Sequence, residues 1–66
     1  MDIQTYKTAR ASLLARYWQA ARAHCPRTAS ARLRDLAKLD SQYENREYEA
    51  VLTELTERYN NGQGSL

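Results

Sequence analysis

Few side chains in this sequence are suited to bond-making chemistry, and their spacing argues against the reactions they suggest. His24 and Cys25 are the only histidine and the only cysteine. A Cys–His pair is catalytic when thiol and imidazole face each other across space. Consecutive residues on a helix instead diverge by about 100°, so this pair is read as incidental. One histidine and one cysteine also fall short of the ligand set of an ordinary zinc site. Asp40, Glu44 and Glu47 would share one side of an unbroken helix. Neither a Glu-x-x-His partner nor a Gly-bearing calcium loop accompanies them, and they are read as a solvated helix start. Gly occurs only at 62 and 64, so there is no glycine-rich phosphate loop. The expectation is a non-enzymatic protein with no catalytic residue, metal, cofactor or small-molecule substrate.

Charge offers a second kind of chemistry. Residues 1–38 hold eight cations against two acids, net +6, and residues 39–66 hold two cations against six acids, net −4. Arg22, Arg27, Arg32 and Arg34 crowd the first interhelical turn and are the candidate nucleic-acid contacts. Clustered cations neutralise phosphates with an affinity that falls steeply as salt rises, and Tyr17 and Trp18 are near enough to stack on bases. Two features weigh against this reading. Lys7, Arg10, Arg16 and Arg22 do not form one stripe. A helix-turn-helix drawn over 29–48 would open its recognition helix with Gln42-Tyr43-Glu44-Asn45-Arg46-Glu47, placing acids against phosphates. The expected arrangement has the acidic last helix antiparallel to the basic first one, neutralising part of it.

The elements that must carry these residues are all helical. Ala, Leu, Arg, Glu and Lys dominate, and Pro26 is the one proline. The pattern predicts an all-α fold, a small three-helix bundle with helices near 3–24, 29–39 and 42–60. A helical hairpin with a bent second arm is the alternative. Asp2 suits the N-cap of the first helix, and Pro26 ends it at Cys25. Ile3, Tyr6, Leu13, Leu14, Tyr17, Ala21 and His24 share one broad sector, with Arg10 inside it and Trp18 on its edge. Thr28 or Ser30 would cap the second helix, whose stripe is Ala29, Leu33, Leu36, Leu39 and Tyr43. Ser41-Gln42-Tyr43-Glu44 reads as a capping box, which places a break near Asp40–Ser41. Tyr48, Leu52, Leu55 and Tyr59 form the third stripe. Asn60-Asn61-Gly62 is a stop signal, and 61–66 is expected to be a flexible tail on a single domain.

A chain of 66 residues buries only about 60% of its unfolded surface. Phe is absent, and five tyrosines and one tryptophan supply the remaining bulk. With neither disulfide nor metal as a staple, oligomerisation or a partner protein becomes the expectation. Tyr48, Leu52, Leu55 and Tyr59 have heptad-like spacing, with Asn45 at the preceding polar position. The stripe is first read as the third helix's share of the bundle core; as the alternative, together with Tyr17 and Trp18 these residues are the candidate protein contacts, because large amphipathic aromatics anchor interfaces. Arg10 is the candidate orienting charge. Either its stem packs while its head reaches water, or it meets an acid such as Glu54. The predicted function is a small helical interaction protein, regulatory, adaptor or inhibitory, acting on a protein partner or as a homodimer. No apolar run approaches the roughly 20 residues that cross a bilayer. The first residues do not form a secretory signal, and one cysteine fits a reducing compartment, so a cytoplasmic location is expected.

Overall fold

Three helices follow one another in the computed structural model, which describes the backbone of residues 1–64 and the side chains of residues 1–59. They are α1 (Ile3–Arg22), α2 (Pro26–Glu44) and α3 (Tyr48–Gly64). The fold is the expected all-α three-helix bundle. Asp2 caps α1 as its sequence position requires. Its carboxylate accepts the Gln4 and Thr5 amides at 3.2 and 3.4 Å and the Thr5 hydroxyl at 3.0 Å, satisfying donors that no helical carbonyl can reach. The Gln4 amide first, then the Thr5 groups, hold the Asp2 carboxyl below its ordinary value.

Both interhelical turns are closed in the same way. After α1 the Cys25 amide reaches back to the Ala20 carbonyl at 2.9 Å and the His24 amide to Ala21 at 3.2 Å, with His24 at φ 58°. After α2 the Arg46 amide bonds the Ser41 carbonyl at 3.0 Å, with Asn45 at φ 54°. This is Schellman geometry, which needs one left-handed residue per turn, and asparagine tolerates that region better than most. His24 therefore serves as a turn residue.

Several expected boundaries move as a consequence. The second helix starts at Pro26, whose fixed φ and missing amide suit the first helical position. Thr28 and Ser30 do not cap it; Cys25 stands at the N-cap and makes no side-chain capping bond. The helix also runs through Asp40–Ser41 to Glu44, so the break lies at Asn45–Glu47. Ser41 does not form a capping box, because its hydroxyl donates to the Lys38 carbonyl at 3.1 Å. Gln42–Glu44 thus ends a helix, which removes the helix-turn-helix reading. α3 extends to Gly64 instead of stopping near 60, and the tail expected at 61–66 lies outside the residues whose side chains are described.

The start of α1 lies against the end of α2, where Tyr6 and Arg10 meet Asp40, so these helices are antiparallel. Late α1 meets late α3, where Tyr17 and Trp18 contact the Tyr59 ring. α1 and α3 are therefore parallel, and α2 runs against both. No Cα of α1 comes within 8 Å of a Cα of α3. Side chains alone bridge them, while α2 packs closely on each.

The core is small, as the composition implied. Tyr17, Leu33, Leu36, Val51 and Leu55 are buried, and Ala20, Ala29 and Ala37 fill the gaps where backbones approach. Leu13, Leu14, Tyr48, Leu52 and Tyr59 pack around this set. Of the expected second stripe, Tyr43 turns out to solvent. Its ring stacks on Tyr6 with centroids 3.8 Å apart, and Asp40 occupies the inward position.

Candidate functional site

Arg10 lies on the inward side of α1, where a lone cation would be costly. Its Nε donates to Asp40 Oδ1 at 3.2 Å and its Nη2 to Asp40 Oδ2 at 3.3 Å. The Tyr6 hydroxyl donates to the same Oδ1 at 2.8 Å. Asp40 is 3% exposed. Burial opposes the charge on Arg10, but bonding to Asp40, with Tyr59 adding to it, raises the guanidinium above its ordinary value. Burial first, and then the bond to the Asp40 carboxylate, push the Tyr6 phenol up. This cluster ties α1 to α2; its three side chains hold one another.

Glu54 is not the partner of Arg10. It pairs with Arg46, which also binds Glu44 at 3.2 Å across the second turn. Arg10, Asp40, Arg46 and Glu54 nonetheless line one small charged cleft. Among the described residues, no three His, Cys, Asp or Glu side chains gather as metal ligands would.

The candidate interface residues separate by burial. Tyr17 is fully buried, and burial, with Tyr59 nearby, pushes its phenol up. Leu55 is also in the core, and Tyr48, Leu52 and Tyr59 pack against it. Trp18 alone of this set is exposed, at 37%. Its indole meets Tyr17 and Tyr59 edge-on at centroid distances of 5.1 and 5.9 Å. Two aromatic rings thus hold a tryptophan at the surface in one orientation.

Trp18 heads a wider face that sequence reasoning missed. At 100° per residue, Lys7, Ala11, Leu14, Ala15, Trp18 and Arg22 fall within about 100° of one another. All are exposed except Leu14, which is half-buried. This face points away from the side of α1 that holds Leu13, Tyr17 and Ala20. Its centre is apolar over about two turns and its ends carry Lys7 and Arg22, roughly 22 Å apart along the axis. α1 contains no acid between Ile3 and Arg22. The signal was present as Trp18 on the edge of the apolar sector. The alanines beside it carried no signal, because alanine is neutral to burial.

The candidate nucleic-acid residues do not form one patch. Arg22 sits at the end of α1. Arg32 is half-buried and pairs with Asp35 at 3.3 Å, and its buried Nε has no hydrogen-bond partner among the described residues. Arg27 and Arg34 are exposed, and with Lys38 they make a row within about 40° on the outer face of α2. The row spans roughly 16 Å. Among the described residues Lys7, Arg16, Arg22, Arg27, Arg34 and Lys38 make no ion pair.

The expected antiparallel pairing of the first and last helices is not found, and among the described residues no ion pair joins them. α1 and α3 are parallel, and the ion pairs join α1 to α2 or lie within 32–54. No helix among the described residues is long and apolar enough to cross a membrane. No known family model matches the chain, and no curated protein or solved structure is significantly similar to it.

Proposed function

We propose that this is a small non-enzymatic interaction protein that acts through protein–protein contacts, in a regulatory, adaptor or inhibitory role. One observation carries this reading: Trp18 is held open at the surface beside Ala11, Leu14 and Ala15, while Tyr17, Leu55 and their neighbours are committed to the interior. A rigid, amphipathic and partly exposed tryptophan is a common energetic anchor at interfaces. Two aromatic neighbours already fix its orientation, so little conformational entropy remains to be lost on binding.

A different protein suits this face better than a second copy. Stacking two α1 faces parallel or antiparallel brings Lys7 and Arg22 against like charges, and like charges across an interface are unfavourable. Light scattering at low and moderate salt checks the point. A mass of 7.6 kDa fits a face kept for another protein, and a stable dimer assigns it to self-association.

Site-specific photo-crosslinking tests the function itself. With a benzophenone residue at Ala15, in cells that make the protein, the reading expects discrete protein adducts. The same label at Ala50, exposed on α3, is the control. Adducts at neither position, or identical adducts at both, would sink the proposal.

The row Arg27–Arg34–Lys38 favours a second reading, nucleic-acid binding. Three phosphate contacts predict a slope of about −3 for log K against log salt. No measurable affinity for DNA or RNA at low salt ends this reading.

A further inference from the structure

We infer that the outer face of α1 is a docking site for one amphipathic helix of a partner protein, with an apolar centre of about two turns and acidic residues at both ends. The inference rests on the protein-interaction reading above and specifies the partner's chemistry. Three features of the face select that occupant.

The first is its length. Ala11, Leu14, Ala15 and Trp18 recur at spacings of 3, 1 and 3, and a facing helix meets such a row with its own i, i+3, i+4, i+7 positions. The small side chains at 11 and 15 leave two shallow notches beside Trp18, while Leu14 is half-buried and floors the row. A partner helix therefore fits best with a large apolar residue opposite each alanine.

The second is charge. Lys7 and Arg22 close the two ends of the apolar row, and neither has an acidic partner among the described residues. With no acid within α1 itself, carboxylates at either end of a bound helix meet the attraction of Lys7 and Arg22. Complementary charges at a rim fix register and raise the rate of encounter.

The third is the anchor. Trp18 is buttressed edge-on by Tyr17 and Tyr59, so it presents a fixed ridge that one groove position on the partner accommodates. An anionic membrane also attracts cation-flanked amphipathic helices. A centre containing two alanines and one half-buried leucine gives little apolar depth for insertion, and a helical peptide is favoured.

Trp18 is the only tryptophan, so its emission reports occupancy of the face directly. The test is selection from a displayed library of helix-forming 18-residue peptides, followed by titration of the enriched peptides against Trp18 emission. Enriched sequences are expected to carry Asp or Glu near both ends of an apolar i, i+3, i+4, i+7 row and to shift the emission. Trp18→Ala should weaken them by at least roughly 30-fold, the effect of an anchor residue. Because Trp18 touches the core, Ala15→Glu at an exposed position is the companion variant and should abolish binding. Lys7→Glu with Arg22→Glu should reverse the preference to peptides with Lys or Arg at their ends. Peptides that bind while ignoring all these variants would overturn the α1 face but leave the protein-interaction reading standing. Recovery of no helical peptide overturns both. An emission shift with vesicles of anionic phospholipid, and none with any enriched peptide, overturns the inference in favour of a membrane surface.

Discussion

Arg10 and Asp40, thirty residues apart in sequence, form a two-pronged ion pair in which the carboxylate is almost completely buried. The Tyr6 hydroxyl completes it. The partners are not equally sensitive to removal. Arg10→Met leaves the buried Asp40 carboxylate without its counter-charge and should cost about 3–5 kcal/mol, more than Asp40→Asn, which strands a guanidinium that still reaches solvent. The double variant Arg10→Met/Asp40→Leu removes both charges and should recover most of that loss. Urea unfolding of these variants checks this. Equal losses in Arg10→Met and the double variant would show that the geometry, and not the uncompensated charge, dominates.

Alkaline pH should attack the same region. The Tyr6 and Tyr17 phenols are raised in the folded state, by burial first and then by the Asp40 carboxylate for Tyr6 and Tyr59 for Tyr17. A raised folded value means that the unfolded chain releases its phenolic protons more readily. The contribution is complete below the unfolded value of about 10 and is lost as pH rises through the folded values. Thermal melts between pH 8 and 11 should show Tm falling above about pH 10. Tyr6→Phe should make that fall shallower, and an unchanged slope would contradict the assignment.

The turn between α2 and α3 makes a third prediction. Asn45 is left-handed, so Asn45→Ala should destabilise by about 1 kcal/mol, whereas Asn45→Gly should be neutral or stabilising. Ser41→Ala should be close to neutral, because Ser41 caps nothing. A break at Asp40–Ser41 would give the opposite pattern, with Ser41→Ala costly.

Core truncation should be severe in so small an interior. Leu36 is fully buried, and Leu36→Ala should cost about 2–5 kcal/mol. Against a total of roughly 3–10 kcal/mol for a chain of this size, that is enough to melt the protein near physiological temperature. Circular dichroism at 222 nm reads it, and a cooperative fold with nearly unchanged Tm would contradict the packing.

The helices and the Asp2 cap were legible because each is a local signal; Pro26 marked the right turn but was read as ending the first helix, whereas it opens α2. The Ser41-x-x-Glu44 capping box was an equally local signal and was misleading. It competed with continued helix, and α2 runs on through Asp40, which meets Arg10. No window of sequence contains that pairing, because its partners lie on different helices. The candidate face was half legible. Trp18 stood out by type and position, yet Lys7 and Arg22 became its two ends only once Leu13, Tyr17 and Ala20 showed which side of α1 faces inward. Tyr17, with Tyr6 and Trp18, looked like more aromatic surface than one stripe could hide, because a sequence does not show how much a third helix covers.

The most direct test of the central claim is quenching of Trp18 fluorescence by iodide and by caesium, with urea-unfolded protein as reference. An open tryptophan flanked by Lys7 and Arg22 predicts substantial quenching by iodide and much less by caesium, with the preference reversed in Lys7→Glu/Arg22→Glu. Native emission that neither ion quenches would mean that the indole is covered, and that α1 offers no free face to a partner.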